Sequence, residues 1–278
     1  MNITPMLGIA ITGYFKERYA EGILDELEIN ALALACGDSR AVLLSLDNCG
    51  IPTALQLQYK AAISAATGLK SEEIYISCTH THTGPFLRLP HADKLEEQYS
   101  AFVEGRLCDA ANMALADLQD AKMGFGVGEA PNIAFVRRFR MKDGSIRTNP
   151  GVDNPDILAP IGDVDERVNV LRFDQENGES FVLVNFGDHP DVVGGCKISA
   201  DWPGLTRGVV EKVLDNTKCI VCNGAQGDVN HVNVHPKKGD FNDMFNDFDG
   251  CSRGYGHARY IARVVTGAVL QIYDKVEY

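Results

Sequence analysis

Three apolar, β-type runs in this chain each end in a polar loop, and this arrangement constrains the fold more than any other feature. Residues 73–77 lead into the sequence THTHTGP at 79–85, and residues 180–186 lead into GDHP at 187–190. Residues 218–223 lead into a glycine-rich loop. Strand ends and the loops after them are where α/β proteins place their chemistry. If the strands are near neighbours in one sheet, the histidines of these loops converge at one edge.

The spacing of His80 and His82 indicates a shared orientation. In an extended segment the side chains at i and i+2 lie on the same face, so both rings are expected to point into one cleft. Two neighbouring histidines can also be solvated loop residues. His189, in a similar strand-end context, favours the alternative in which the imidazoles bind a metal ion.

Composition and charge exclude several classes of function. The chain has 278 residues, 45% hydrophobic and 23% charged, which is typical of a globular protein. Its net charge of −12 argues against nucleic acid or an anionic membrane as a partner. No stretch approaches the roughly 20 apolar residues of a membrane span. Residues 1–5 lack the order of a signal peptide, so we expect a cytoplasmic protein, although a removed export signal would leave no trace.

The eight cysteines are scattered along the chain. A chain of this length has enough core without disulfides, so we expect reduced and mostly buried thiols. Cys219 and Cys222 have the CxxC spacing of a redox or zinc motif. They lie inside a predicted buried strand, however, and no second CxxC is present, so the sequence favours a structural role.

The hydrophobic pattern predicts a single α/β domain over residues 1–278. Helical periodicity and hairpin turns alternate along the chain, and hairpins argue against an all-parallel sheet. We expect a mixed sheet of about eight strands or more, with helices packed over it. The predicted helices are residues 52–67, 94–118, 203–214 (capped by Asp201) and 254–273, and the hairpin turns are at 37–40, 142–144 and 176–179.

Several polar residues allow two interpretations. Asp47 closes a buried run and is either a helix cap or a site carboxylate. Arg137 and Arg138 lie on a predicted strand, where neighbours face opposite ways, so only one is expected to reach a cleft. There it could clamp a carboxylate or an oxyanion, and otherwise it is solvated. Residues 148–165 form a long Pro/Gly/Asp-rich segment, which suggests a functional or mobile loop.

Four segments resemble the neutral/alkaline (non-lysosomal) ceramidase family. THTHTGP at 79–85 is similar to that family's THTHSGP segment. Residues 2–5 with Gly13-Tyr14 resemble its D-I-T-G-P…G-Y stretch. Residues 184–189 resemble its F-A-T-H segment, and residues 224–230 its N-A-G-N-L-S-P-N segment. The resemblance extends in order across most of the chain and suggests a domain like the N-terminal catalytic domain of that family.

The resemblance implies a zinc hydrolase. It matches His80 and His189 to the family's zinc-binding histidines. It matches His82 and Arg137 to groups beside the metal that hold the substrate or the developing negative charge.

The chain also departs from the family pattern. Asn230 stands where the family has a serine. The family's remaining zinc ligands, a Glu and a Tyr from a later segment, have no counterpart before Tyr278. Either sequence beyond Tyr278 supplies them, or the site is weak, or a local side chain completes the shell. The local candidates are Asp228, Asp47, His231 and His235.

From these residues we expect a zinc-dependent hydrolase of an amide or ester bond, most naturally an amidohydrolase acting on linear amides. Its substrate would be a small molecule or an N-acyl compound. The expected catalytic residues are His82, Arg137 and Asp228, and Asp188 or Asp228 could orient a ligand histidine. One alternative is a non-catalytic binding domain with an incomplete metal site. A weaker one is a phosphate-ester hydrolase, since no P-loop lysine follows the glycine-rich loop. Oligomeric state is not readable.

Overall fold

The computed structural model describes residues 1–176, 179–237 and 254–278. The predicted hairpin turn at 176–179 therefore lies partly outside the described residues. The strands are β1 (Ala10–Ile11), β2 (Arg18–Tyr19), β3 (Gly22–Ile23), β4 (Ile29–Cys36), β5 (Ser39–Leu46), β6 (Ile74–Cys78), β7 (Ala121–Glu129), β8 (Phe135–Val136), β9 (Arg138–Met141), β10 (Ile146–Thr148), β11 (Ile157–Pro160), β12 (Arg167–Gln175), β13 (Ser180–Phe186), β14 (Lys197–Ile198), β15 (Thr217–Asn223) and β16 (Val229–Asn230). The helices are α1 (Thr53–Thr67), α2 (Lys94–Ala116), α3 (Asp201–Val213) and α4 (Tyr255–Ile272).

The longer strands form two mixed sheets, which confirms the α/β class. The first sheet has the order β4-β5-β6, with β4 antiparallel and β6 parallel to β5. The second has the order β15-β13-β12-β7, in which β13 and β15 are parallel and the other pairs antiparallel. The expectation of one sheet of about eight strands is therefore wrong. Each helical crossover, α1 from β5 to β6 and α3 from β13 to β15, returns the chain to the sheet it left.

The two sheets pack face to face between two helical layers. Helices α1 and α2 cover the first sheet, and α3 and α4 cover the second, each over its own apolar core. A smaller cluster that includes Leu32, Phe173 and Ile220 fills the space between the sheets. The hydroxyl of Ser45 on β5 donates to the carbonyl of Val221 on β15 at 2.9 Å. The molecule is thus a four-layer α/β/β/α arrangement.

The helices agree with the sequence pattern, and the main difference is at the start of α3. Helix α1 buries the periodic residues Leu55, Tyr59 and Ile63 and ends at Gly68, whose φ of 74° suits a glycine. Helix α3 begins at Asp201, so the predicted cap is wrong: Ala200 is the N-cap and offers no side-chain bond. The Asp201 carboxylate instead accepts N–H groups from nearby backbone.

One loop prediction and one strand prediction also need correction. The segment 148–165 contains β11, which pairs with β9 across a register shift, so it is not wholly irregular. The strand that was predicted to carry Arg137 and Arg138 is broken at Arg137, which lies between β8 and β9.

Among the described residues, no helix has both the length and the apolarity to cross a membrane. The described cysteines are free thiols; Cys219 on β15 is buried and most of the others are partly buried.

The parallel pairs decide where the polar loops lie. Within each sheet, the carboxyl ends of parallel neighbours lie at the same edge, so β5 ends beside β6 and β13 ends beside β15. The side-chain amide of Asn223, at the end of β15, donates to the carbonyl of Thr79, just after β6, at 3.1 Å. The loops after the four strands therefore meet at one end of the molecule, although they belong to two sheets.

Candidate metal centre

The loop after β6 is anchored by its threonines. The hydroxyls of Thr81 and Thr83 both donate to the carbonyl of Ser199, at 2.6 and 3.1 Å, and both threonines are fully buried. The hydroxyl of Thr79 donates to the Asp47 carboxylate at 3.2 Å. Because every second side chain is held inward, the intervening histidines are left to form the surface of the site.

His80 and His82 share a cleft through a turn rather than through a strand. Strand β6 ends at Cys78, and His80 has a φ of 75°, a left-handed conformation that is uncommon outside glycine. Its N–H donates to the carbonyl of Asn48 at 2.8 Å, which helps hold that conformation. The centroids of the two imidazole rings lie 5.0 Å apart. The extended geometry assumed from the sequence is therefore not what brings the rings together.

His189 joins this pair from the second sheet. It follows β13, and its ring centroid lies 4.8 Å from those of both His80 and His82. Its Nε2 atom is 3.1 Å from the Nε2 atom of His82. The three predicted histidines thus form one cluster, built from the strand ends of two facing sheets.

Backbone carbonyls determine which ring nitrogens face the cluster. The Nδ1 atom of His80 lies 2.6 Å from the carbonyl oxygen of Cys49, and the Nδ1 atom of His189 lies 3.2 Å from that of Gln226. A carbonyl can only accept, so each Nδ1 carries a proton, and Nε2 is the nitrogen that has the lone pair when the ring is neutral. This is the usual arrangement around metal-bound histidines.

Electrostatics favour the neutral form of His189. Burial lowers the pKa of His189 from its ordinary value, and the nearby His80 and Arg137 lower it further, against the opposing effect of Asp191. A neutral imidazole keeps the lone pair that a metal ion requires.

The carboxyl of Asp188 does not hold the His189 ring, since that contact belongs to Gln226. Asp188 is fully buried, and neither of its carboxylate oxygens makes a hydrogen bond of ordinary geometry to the described residues. Burial raises its pKa well above the usual value for an aspartate. This shift favours the neutral form of the carboxyl.

The two arginines turn in different directions. Arg137 donates from Nη2 to the carbonyl of Gly227 and from its backbone N–H to the carbonyl of Asp228, the latter at 3.1 Å. Arg138 makes two parallel bonds to the Asp228 carboxylate, at 2.7 and 2.9 Å, on the surface. Arg137 is therefore the arginine whose charge acts on His189. The Asp228 side chain is 41% exposed and engaged by Arg138, and its catalytic role stays a prediction.

The other side chains considered as ligands each have a charged neighbour. Asp47 is fully buried and bonds to Arg207 at 2.7 Å, so it is neither a helix cap nor an unpaired site carboxylate. His231 is buried, with Nδ1 3.4 Å from an Asp191 oxygen. His235 is largely exposed, with Nδ1 3.6 Å from a carboxylate oxygen of Asp153.

Cys49 is a residue of this site that the sequence did not reveal. One donor atom from each of Cys49, His80 and His82 lies within 4.8 Å of the other two. The available signal was positional: Cys49 follows the end of β5, the parallel neighbour of β6, and so lies at the same edge as His80.

The N-terminal segment closes the other side of the cluster. The guanidinium of Arg18 donates to the carbonyls of His82 and Thr12, at 2.6 and 2.5 Å, and covers the ring of Tyr14. The Tyr14 ring meets that of His82 edge-on, with centroids 5.9 Å apart. Beside Cys49 lies a cavity of about 310 Å³, which is lined by Thr12, Cys49, Gly50, Ile51, Pro52, Phe86 and Leu87.

Comparison with known proteins gives a fold likeness. No protein-family model and no curated protein matches the sequence. A solved structure of neutral ceramidase from Pseudomonas aeruginosa matches 99% of this chain at 19% identity, with a TM-score of 0.74. A structure of a ceramidase complexed with C2 matches 99% at 21% identity, with a TM-score of 0.76. This chain spans 44% and 43% of those proteins. The expected ceramidase-like fold is confirmed.

Proposed function

We propose that this chain forms a zinc-dependent hydrolytic centre that cleaves an amide or ester bond in a small-molecule or N-acyl substrate. The observation that carries the proposal is the convergence of three imidazoles, His80, His82 and His189, from two sheets. The ceramidase-like fold and the THTHTGP segment support the same class of reaction.

The donor set fits zinc. The imidazole ring centroids of His80 and His189 lie 4.8 Å apart, which would allow one ion to contact both rings. We assign His80 and His189 as ligands because a backbone carbonyl holds the Nδ1 proton of each ring. We assign His82, whose Nε2 faces the same point, to the substrate side.

A bound zinc ion would lower the pKa of its water towards about 7 and polarise the substrate carbonyl. The residues of the chain would then stabilise the negative charge that develops on that oxygen. His82 would donate a hydrogen bond from its ring, and Arg137 would supply a fixed positive charge. We assign Asp228 a positioning role, because its carbonyl and carboxylate hold Arg137 and Arg138.

The cavity beside Cys49 supports a substrate with an apolar part. Its volume of about 310 Å³ is at the lower end of the range of small-molecule pockets. Ile51, Phe86 and Leu87 supply apolar lining, and Cys49 lies between the cavity and His80. A short acyl group bound there would place its carbonyl near the histidines.

One observation favours a second candidate, a binding domain that keeps the fold without turnover. At 3.1 Å, the Nε2 atoms of His82 and His189 can also share a proton directly, with no metal between them.

The test combines metal analysis with an assay. The purified protein would be loaded with zinc and assayed on linear N-acyl amides and on esters. The zinc would then be removed with a chelator and added back. The variants His80→Ala and His189→Ala would be treated in the same way, with His91→Ala, from a loop outside the cluster, as the control.

We expect activity to disappear on chelation and to return with zinc. The variants His80→Ala and His189→Ala should lose both the activity and the bound zinc, whereas His91→Ala should keep both. Zinc bound without turnover on any substrate would favour the binding domain. Unchanged zinc content in both variants would refute the assignment.

A further inference from the structure

We propose that this chain binds an extended, basic peptide segment of another protein, which adds a fourth strand to the first sheet at the edge of β4. The binding surface is a groove of about 640 Å³, the β4 groove, which is lined by residues 31–36 of β4, by Asp117 and Asp120 after α2, and by Met123, Phe173 and Phe181 of the second sheet. Strand β4 runs antiparallel to β5, whose carboxyl end carries the histidine site, so the carboxyl end of β4 lies at the opposite end of the molecule. The inference is therefore independent of the proposed function.

The edge of β4 offers backbone groups to a further strand. Ile29, at the start of β4, donates its N–H to the carbonyl of Met1 at 2.8 Å and accepts the Met1 amino group at 2.6 Å, on the side away from β5. Backbone groups point to alternate sides along a strand, so Ala31, Ala33 and Ala35 direct theirs to the same edge. All three line the β4 groove, and among the described residues no hydrogen bond reaches them there. Such an edge is ready to pair with another strand.

The facing wall of the groove is apolar. The second sheet has one strand more than the first, and the inner face of its edge strand β7 is uncovered. Met123 on β7 lies opposite Phe173 of β12, which packs between the sheets, so the Met123 side chain points to the same side. Phe125 is placed in the same way opposite Leu171. Met123 and Phe125 are 56% and 47% exposed, so an added strand could bury every second side chain against them.

The charge around the groove favours a basic segment. Helix α2 ends at the groove with Asp117 as its C-cap, and Asp120 follows. The carboxyl end of a helix carries a partial negative charge, which adds to that of these two carboxylates. The adjacent Lys122 lies on the other face of β7, opposite Asp174. A lysine or arginine at one end of the added strand would therefore be attracted to this end of the groove.

A second copy of this chain does not fit the same edge. Its own β4 is already covered, because Leu32 packs with Phe173 and Ile220 of its second sheet. Pairing two β4 edges would therefore bring the second sheet of one molecule against β7 of the other. A single strand that matches residues 31–36, about 20 Å long, avoids this clash.

The test uses a fluorescein-labelled synthetic peptide in which valine alternates with threonine over six residues and two lysines follow. One control peptide has glutamates in place of the lysines, and another has proline in place of the central valine, which removes a backbone donor. Binding to the full chain is measured by fluorescence anisotropy, and exchange of the backbone amides by NMR.

Two variants alter the groove, and one matched control lies elsewhere. Met123→Ser removes an exposed apolar side chain, and Ala33→Pro removes an N–H that points away from β5 and so leaves the β4–β5 pairing intact. The control is Leu158→Ser, since Leu158 is 65% exposed on β11, outside the groove.

We expect saturable binding of the lysine peptide and at least about tenfold weaker binding of both control peptides. Met123→Ser and Ala33→Pro should weaken binding of the lysine peptide about tenfold, and Leu158→Ser should leave it unchanged. The amides of Ala31, Ala33 and Ala35 should exchange more slowly when the lysine peptide is bound, because each then has a partner on the free edge.

Absence of binding in the wild type, or binding that leaves the exchange of these three amides unchanged, would overturn the inference. A dimer of the chain alone that Met123→Ser dissociates would also overturn it, because the occupant would then be a second copy. The exchange measured in the wild type decides the question even if Ala33→Pro fails to fold.

Discussion

At the scale of single residues, the position of His82 depends on a glycine in the N-terminal segment. Gly13 has a φ of +102°, and a Cβ built on it would lie 2.6 Å from the Cβ of His82. No side chain fits in that gap. The Gly13-Tyr14 pair, noticed in the sequence as part of a resemblance, thus has a physical reason at the site.

Replacing Gly13 by alanine should displace His82. We expect Gly13→Ala to lower the free energy of unfolding by about 1–3 kcal/mol, through the strained φ and the clash. We also expect weaker zinc binding, measured by isothermal titration. Gly8→Ala is the matched control, since Gly8 has a φ of +85° with nothing within 4 Å of its Cβ. Equal effects of the two substitutions on zinc binding would contradict this account.

The sequence predicted some residues of the site and missed others for physical reasons. His80, His82 and His189 could be found because imidazoles at strand ends are conspicuous. Cys49 could not, because a single cysteine after an apolar strand looks like any core thiol. The separation of Arg137 from Arg138 was anticipated by strand alternation, but the break in the strand was not.

At the scale of elements, a buried ion pair fastens the end of β5 to helix α3. The guanidinium of Arg207 on α3 bonds to Asp47 at 2.7 Å, and Asp47 also accepts the N–H of Glu28 at 2.9 Å. Asp47 further holds the hydroxyl of Thr79 beside His80. This one carboxylate therefore joins β5, the loop after β6 and a helix of the second sheet.

Breaking this buried ion pair should lower the free energy of unfolding far more than breaking an ion pair on the surface. Arg207→Met leaves Asp47 charged and buried without its partner, and we expect a loss of about 3–5 kcal/mol in unfolding free energy. Arg167→Gln removes the exposed partner of Asp165, for which we expect a much smaller loss because solvent screens the pair. Urea unfolding measures both. Similar losses for the two variants would show that the buried pair does not fasten the elements.

Asp25 should make stability depend on pH. Its carboxylate accepts the hydroxyl of Ser199 at 2.6 Å and the N–H of Ala200 at 2.7 Å, before helix α3. Burial raises the pKa of Asp25 from 3.8 to about 6. The folded protein thus holds this proton more tightly than the unfolded chain does. The contribution of Asp25 to stability is greatest below its unfolded pKa and is lost as pH rises through about 6.

The variant Asp25→Asn cannot ionise and should remove this dependence. We expect the melting temperature of Asp25→Asn, relative to that of the wild type, to increase as pH rises from about 4 to 7. A constant difference over that range would mean that Asp25 has an ordinary pKa.

At the scale of the whole molecule, the site lies where two sheets meet. Periodicity located the helices and the longer strands to within a few residues, because each buries one face of its own. It could not show that the strands before His80 and His189 belong to different sheets, because pairing is decided by long-range packing. The cluster of Leu32, Phe173 and Ile220 between the sheets is what brings the strand ends together.

Asn223 provides a direct test of that junction. Its side-chain amide donates to the carbonyls of Thr79 and Asp188, at 3.1 and 3.0 Å, and so joins the two histidine loops. Asn223→Ala should cost about 1–2 kcal/mol in stability and also weaken zinc binding. Asn154→Ala removes a comparable bond, from its side-chain amide to the Pro150 carbonyl, and should leave zinc binding unchanged. Unaltered zinc affinity in Asn223→Ala would show that the loops are positioned by other contacts.

The most direct measurement is a crystal structure of the zinc-soaked protein with anomalous data at the zinc absorption edge. We predict one anomalous peak within about 2.0–2.1 Å of the Nε2 atoms of both His80 and His189. A peak that touches only one of these rings, or none at the histidine cluster, would contradict the claim that loops from two sheets bind a single ion.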